Sequence, residues 1–367
     1  MPDVIVNLAH MSYVIRIEAG ALRGIGNMIA PDKPTAILVV SNTVVSRHYG
    51  DVVVDSLRAA GLRADLFCVP SGERFKTLRT TKKIYDALLN ARIDRKGAIV
   101  ALGGGVIGDM AGFAAATYLR GIDFYQVPTT LLSQVDASVG GKVAVDLPQG
   151  KNLVGAFHQP KAVLIDPATL RTLPARELRS GLAEMVKHGI IYDRNYLESL
   201  NKNASALLAG SEPEMAQAIS RSVEIKRDVV VQDEREAGLR AILNYGHSVG
   251  HAIEMLSGYG RYRHGEAIAV GMVAEAMLAE RVGIAEPGLG EVIADSLAAM
   301  RLPVQISEHP STSEIVRAIE LDKKTLGGVF RFALPTKIGV CSVVEVTREA
   351  LVGAINAHKA RSEAGGT

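Results

Sequence analysis

Cysteine is scarce in this chain: Cys68 and Cys341 are the two among 367 residues. Two cysteines with no Cys-x-x-Cys spacing make no disulfide framework, which excludes a stapled secreted scaffold and suits a reducing compartment. A surplus of charge is missing too. With 41 basic and 39 acidic residues the net charge is +2, which argues against a nucleic-acid binder that relies on bulk positive charge. The opening Met1-Pro2-Asp3-Val4-Ile5-Val6-Asn7 has no basic stretch leading into an apolar one, so no secretory signal is read there. The most apolar tract, residues 97–119, contains Gly103-Gly104-Gly105 and Asp109. A charge in mid-bilayer is costly, so this tract reads as a buried strand, a turn and a buried helix, not a membrane span. Internal repeats and low-complexity segments are absent as well. The expectation is a cytoplasmic protein with no nucleic-acid or membrane partner.

What is present is a globular composition, 48% hydrophobic and 22% charged, in a chain long enough for two cores. Its texture changes near residue 177, so the expected domains are 1–176 and 177–367. In the first, apolar runs at Met11–Ile17, Thr35–Val40, Asp65–Val69, Ala98–Leu102 and Phe124–Thr130 alternate with helical patterns at Val45–Ala60 and Thr77–Ala91. That alternation predicts an α/β domain with a mostly parallel, covered sheet. In the second, amphipathic helices dominate, over Met215–Val231, Ala267–Ala285, Gly288–Met300 and Arg348–His358, with one short extended pair at Phe330–Leu334 and Gly339–Val346. The predicted fold class is thus an α/β nucleotide-binding domain followed by an essentially all-α domain.

Three groups of residues carry chemistry. The first is Gly103-Gly104-Gly105-Val106-Ile107-Gly108-Asp109, directly after a buried strand. Glycines there let backbone N–H groups and a helix N-terminus approach a phosphate. The spacing is neither G-x-G-x-x-G nor that of a Walker loop, so a tight structural turn is an equal reading. The second group is Asp136-Ala137-Ser138-Val139-Gly140-Gly141-Lys142 and then Lys151-Asn152, lysines beside glycine turns that suit an anion or plain solvent. The third is the histidines. Leu243 to Glu254 reads as one helix with His247 and His251 on a single face, and His264 opens the next helical pattern. Two such imidazoles need one carboxylate to make a His₂Glu site with an open metal position. Glu184 and Lys187, three apart, read on spacing alone as a surface ion pair.

Taken together, these stretches resemble the 3-dehydroquinate synthase family. The resemblance runs in order through Pro70-Ser71-Gly72-Glu73, Gly103 to Asp109, Pro128-Thr129-Thr130, Asp136 to Lys142, Lys151-Asn152 and Leu182 to Lys187. It continues through Asp233 to Glu254 and His264-Gly265-Glu266 to Asp322-Lys323-Lys324. It implies an NAD-binding first domain, a metal-binding second domain and a homodimer. The divalent metal, usually zinc with cobalt as an alternative, would be held by Glu184, His247 and His264. NAD would lie against Ser71-Gly72-Glu73-Arg74-Phe75-Lys76, Gly105-Val106-Ile107-Gly108-Asp109, Thr129-Thr130, Lys142, Lys151 and Thr169-Leu170-Arg171-Thr172. Asn42 and Glu73 match ribose contacts.

By the same resemblance Lys142, Asn152, His251 and Lys324 would face the substrate phosphate. Asp136, Lys187, Lys226, Arg240 and Asn244 would face the ring hydroxyls and carboxylate. Glu236 would assist proton transfer near His251, and Arg120 would reach the neighbouring subunit's site. The implied substrate is 3-deoxy-D-arabino-heptulosonate 7-phosphate. The departures are Ser248, where the family more often has Thr, and Tyr245, where Phe or Leu is common; neither carries a role named above. Sister sugar-phosphate cyclases are one alternative. A metal-dependent NAD alcohol dehydrogenase is another, though its metal set more often begins with Asp than with a residue like Glu184. A non-catalytic relative used as a binding module is a third, and it would be expected to lack a ligand that this chain retains.

Overall fold

A computed structural model describes residues 3–236, 238–258, 261–306, 310–322 and 329–364. The chain divides into two compact units, Met1–Leu173 with Met215–Arg227, and Pro174–Glu214 with Asp228–Thr367. Lys226 thus belongs to the first unit, whereas the sequence reading grouped it with the second. Lys324 lies outside the described residues.

The first unit begins with β1 (Val4–Asn7), β2 (Ser12–Ile17), α1 (Ile25–Ile29), β3 (Ile37–Asn42), α2 (Ser46–Ala59) and β4 (Ala64–Val69). It continues with α3 (Leu78–Asn90), β5 (Ala98–Gly103), α4 (Gly105–Thr117), β6 (Asp123–Pro128), β7 (Lys142–Leu147), β8 (Gly150–Phe157) and β9 (Ala162–Ile165). Seven strands form one sheet in the order β1-β2-β9-β6-β5-β3-β4, parallel throughout except for the β1–β2 pair. The continuous apolar runs are explained by two covered faces. Ile37 and Val39 join one core cluster with Val53 and Leu57 of α2, while Leu38 and Val40 join another with Ile84 and Leu88 of α3. Ala98, Val100 and Leu102 of β5 divide in the same way from Ile99 and Ala101. Because β4 lies on one side of β3 and β5 on the other, the carboxyl ends of β3 and β5 flank the switch point where such sheets bind ligands. Asn42 and Gly103 end those two strands.

The hairpin β7–β8 is a correction to the sequence reading, which saw only glycine turns with lysines. The pair is antiparallel and separate from the main sheet. Its outer strand leaves Leu153 and Phe157 exposed, so no apolar alternation marks it in the sequence.

The second unit contains α5 (Ala175–Tyr192), α6 (Arg194–Lys202), α7 (Ala204–Leu208), the ends of α8 (Glu212–Gln232), α9 (His247–Leu256), α10 (His264–Arg281) and α11 (Leu289–Ala299). It closes with α12 (Thr312–Asp322), the hairpin of β10 (Val329–Lys337) and β11 (Val340–Thr347), and α13 (Arg348–Ala364). α10 is its central helix, buried along most of its length and packed against α5, α9, α11 and α13. Two readings are corrected here. α13 runs on to Ala364 where the pattern ended at His358. Helix α9 starts at His247, because Gly246 takes a left-handed turn (φ 79°) after the 3₁₀ segment Leu239–Asn244. Only glycine fits that turn without cost, since an added Cβ would also lie 2.5 Å from Met272 Cγ.

His358 on α13 offers a stability prediction. Its Nε2 donates to the Val304 carbonyl (2.9 Å) while its Nδ1 is buried with no partner. Burial therefore holds the imidazole down to about 4, helped by the charge of Arg361. The unfolded chain takes up this proton first, so the stability is complete above about pH 6.5 and is lost as pH falls toward 4. A gap of about 2.5 pH units corresponds to about 3 kcal/mol. Urea titrations between pH 7 and 4 should show that loss, and His358→Gln, which keeps a donor but does not titrate, should flatten it. An identical pH slope in the variant contradicts the assignment.

Candidate functional site

In the first unit the loops that follow the parallel strands bring most of the expected nucleotide residues to the carboxyl ends of the strands. Gly104 caps α4, and its missing Cβ leaves room for Thr130 (Cγ2 at 3.0 Å); Gly108 does the same for Gln126 (Oε1 at 3.0 Å). The turn thus packs backbone against side chains and leaves the N-terminal N–H groups of α4 at the strand ends, where an anion is favoured. Thr130 bonds Ser133 (2.8 Å), and the Thr129 hydroxyl is buried with no partner. After β4, Ser71, Gly72, Glu73 and Arg74 are exposed, Arg74 lies over the Phe75 ring, and Lys76 is buried. Thr169 and Thr172 belong to a 3₁₀ turn after β9 that is tied to Tyr49 (2.9 and 2.7 Å). Asn42 uses its side-chain oxygen to accept from Val44 and Val45 N–H (2.9 Å each), leaving its NH₂ for a ligand.

Lys76 is the hub of this unit's polar network. Its Nζ meets Asp109 Oδ2 and Asn152 Oδ1, each at 2.5 Å. Burial works against its charge, but Asp109, Glu73 and Asp146 outweigh burial and push its pKa up. Close packing pushes the Asp109 carboxyl up to about 6 in spite of Lys76. Asn152 is left-handed (φ 57°), and its N–H donates to Asp146 (2.8 Å). Lys76 therefore fixes which way the Asn152 amide points, with its NH₂ group turned away from the lysine. Lys226 bonds the Asp136 carboxylate and, at 2.5 Å, its carbonyl, within a one-turn π-helix over Ser133–Ala137, a form frequent at functional sites. Lys142 opens β7 on an exposed position, and Lys151 is half-buried on β8.

In the second unit Glu184 is fully buried on α5, in contact with Lys187 one turn on. Its Oε1 lies 3.6 Å from His247 Nε2 and 3.5 Å from His264 Nε2. Burial opposes its ionisation, yet the charge of Lys187 and the two imidazoles holds the carboxyl well below the usual range. His247 Nδ1 is tied to the Tyr245 carbonyl (3.1 Å), which leaves Nε2 as the lone-pair nitrogen. Burial and the neighbouring Lys187 keep that imidazole neutral. Burial works against charge on His264 too, but Glu184 and Glu254 push it up to about 9.

A tetrahedral ion bound at ~2.0–2.1 Å sets its ligand atoms roughly 3.3–3.5 Å apart, so the distances from this carboxylate oxygen to the two nitrogens suit a zinc-like ion. Glu184 Oε1 accepts no well-directed hydrogen bond, which suits a metal ligand, whereas Oε2 is taken by Lys187. His251, exposed on the next turn of α9, joins the cluster edge-on (ring centroids 5.2 Å from His247). Asn244 donates to Glu236 (2.6 Å), itself left-handed at φ 60°, and Arg240 is buried against the Glu234 carbonyl.

Two acidic residues in this unit escaped the sequence reading. Glu254 faces His264 Nδ1 at 3.5 Å and orients that ring, as carboxylates behind ligating histidines do. Its signal was present, seven residues and so two turns from His247. Glu275 is buried on α10, a single charge inside the apolar run Ala267–Ala279.

The first unit has a parallel sheet with a glycine turn at its switch point, the second unit holds one buried carboxylate against two imidazoles, and the solved structures similar to this chain include enzymes of the sugar-phosphate cyclase class. A solved 2-deoxy-scyllo-inosose synthase, complexed with carbaglucose-6-phosphate, NAD+ and Co2+, superposes with a TM-score of 0.90 at 26% identity, covering 97% of this chain and all of that one. A 2-epi-5-epi-valiolone synthase from Streptomyces hygroscopicus, with NAD+ and Zn2+ bound, gives 0.87 at 27% identity, covering 97% and 99%.

The sequence matches the family descriptions "3-dehydroquinate synthase N-terminal" over residues 66–180 and "3-dehydroquinate synthase C-terminal" over 181–325. It is 47% identical to the 3-dehydroquinate synthase of a Synechococcus strain over 93% of this chain and 94% of that relative. With that of a Nostoc strain the identity is 47%, over 94% and 96%. The chain belongs to the 3-dehydroquinate synthase family.

Proposed function

We propose that Glu184, His247 and His264 hold the divalent metal of a 3-dehydroquinate synthase. The converging Glu184 Oε1 and the two imidazole nitrogens carry this reading. The reaction converts 3-deoxy-D-arabino-heptulosonate 7-phosphate to 3-dehydroquinate and phosphate. NAD, if bound in the first unit, would supply reversible hydride transfer, and a metal held by Glu184, His247 and His264 would supply Lewis-acid polarisation of the hydroxyl to be oxidised. The chain's own residues bind and orient. The first unit is the NAD domain, with Lys76 and Asp109 beside the glycine turn, and it presents Lys142, Lys151 and Asn152 to anionic groups. Lys226 and Asp136 present a charge pair to the ring hydroxyls. In the second unit Lys187 and Arg240 are cations for the substrate carboxylate and hydroxyls. His251 is the proton-handling imidazole on the phosphate side, with Glu236 held toward that region by Asn244. Such a clamp supplies orientation, which accounts for much of what the later steps need.

Product analysis tests the substrate assignment: 3-dehydroquinate is expected from the heptulosonate phosphate, and a different cyclitol from another sugar phosphate would move the chain to a sister cyclase. The alcohol dehydrogenase alternative shares only the fold, at 17% identity and a TM-score of 0.66 for a glycerol dehydrogenase.

The enzyme is a cytoplasmic homodimer in this reading. Leu119 and Arg120 are consecutive non-glycine residues in the left-handed region (φ 51° and 70°), a strain that costs of order 1–3 kcal/mol per residue and marks functional loops. In this reading the strain serves to present the exposed Arg120 to a partner's site. Mixed dimers of Arg120→Ala and wild-type subunits should lose the wild-type subunit's own site. Loss confined to the mutant subunit's site contradicts this, as does a fully active monomer.

A further inference from the structure

The start of α9 has no side chain of its own to cap it, because its N-cap residue is Gly246. Its first N–H groups need acceptors. Here the acceptor comes from another helix. Glu275 on α10 is fully buried, and its two carboxylate oxygens take separate backbone donors, Oε2 from Gly246 (2.7 Å) and Oε1 from Val249 (3.0 Å). A buried carboxylate is costly unless bonded. This one is matched by two N–H groups and by the positive end of the α9 dipole.

The same short stretch is pinned at three further points. Tyr245, itself buried, donates its hydroxyl to the Met272 carbonyl (2.6 Å). Gly271 lets the α9 backbone come so close that a Cβ there would lie 2.1 Å from the Gly246 carbonyl oxygen. The Tyr245 carbonyl in turn accepts from His247 Nδ1. The contacts run without a break from Glu275, through Gly246 and Tyr245, to the imidazole that faces Glu184. Glu275 stands eleven residues after His264, about three turns along one face of α10. One helix therefore carries a histidine at one end and, further along, fixes the helix that carries the other.

We infer that Glu275 is a positioning residue of the metal centre: its carboxylate sets the height and rotation of α9, so that His247 Nε2 meets Glu184 and His264 at ligand spacing before a metal binds. This rests on the ligand assignment proposed above.

The test uses the full-length protein stripped of metal, titrated with Co2+ against a competing chelator, together with the visible spectrum of bound Co2+ and the thermal midpoint. Glu275→Gln keeps the volume and one acceptor but turns an NH₂ toward a backbone N–H; Glu275→Leu removes both acceptors. Outer-shell changes of this kind cost about 10- to 100-fold in metal affinity. Glu275→Gln is therefore expected to bind Co2+ more weakly within that range, with shifted Co2+ bands and unchanged NAD affinity, and Glu275→Leu to be weaker still. If Glu275→Leu does not fold, the Gln variant decides alone. Native Co2+ affinity and spectrum in Glu275→Gln, with only the thermal midpoint lowered, overturns the inference and leaves Glu275 a purely structural cap. His247→Ala run in parallel separates the two levels. If it loses Co2+ while Glu275→Gln does not, the cap inference alone fails. If it binds Co2+ as the wild type does, the ligand assignment fails and the inference falls with it.

Discussion

Replacing His247 with alanine is expected to abolish binding of a divalent metal and to cost about three orders of magnitude of kcat, with the fold intact. Three groups meet at the proposed metal position, and the substitution leaves Glu184 and His264, one carboxylate and one imidazole, which is too few for a tight zinc-like site. Lewis-acid polarisation is worth several kcal/mol, and about 4 kcal/mol is three decades in rate at ~1.36 kcal/mol each. The fold persists because the buried Glu184 charge keeps Lys187 as its partner and is not left alone. Metal content by mass spectrometry, kcat and the far-ultraviolet circular dichroism of the variant check each part. A metal-free variant with full activity refutes the assignment.

Gly265→Ala should damage the same site, although it touches no substrate. Gly265 follows His264 on α10 and packs directly on α5, where its N–H donates to Ser180 Oγ (2.9 Å). A Cβ there would lie 2.1 Å from the Ser180 carbonyl oxygen and 2.6 Å from its Cα. Those are backbone atoms of the helix that carries Glu184, one turn further on, and they cannot rotate aside. The two helices must part, and His264 moves away from Glu184 as they do. Overpacking of this kind costs typically 1–3 kcal/mol of stability, and metal affinity should fall at least about tenfold through displaced ligands. Gly24→Ala is the control, since its Cβ would meet open space at an ordinary φ of −103°. Equal stability and metal binding in the two variants contradicts the account.

Much of this was legible in the residues themselves. Runs such as Ile37–Val40 and Ala98–Leu102 announce parallel strands because both faces of each are covered, and the amphipathic periods after residue 177 announce helices. The β7–β8 hairpin was hidden because its outer strand exposes Leu153 and Phe157 and carries a left-handed Asn152, so neither alternation nor propensity marks it. β9 is four residues long, too short to stand out from periodicity. At the candidate site, spacing marked out His247 and His251 with His264 nearby, and only the family resemblance chose His247 and His264 among them. Glu184 was not marked out by spacing, since a Glu and Lys three apart on a helix are ordinarily solvated, and only tertiary burial makes this pair unusual. Glu275 shows why: its role lies in another helix's backbone, and nothing local in the sequence points there.

One NAD is expected to serve turnover after turnover in a metal-dependent phosphate elimination. This is tested most directly by supplying 3-deoxy-D-arabino-heptulosonate 7-phosphate with NAD at a small fraction of the substrate, and following phosphate release and NADH absorbance in the same sample. One phosphate per substrate is expected, with no build-up of NADH. NADH rising in step with substrate loss until the NAD is spent, with little phosphate released, would contradict it and make the chain a dehydrogenase on the same fold.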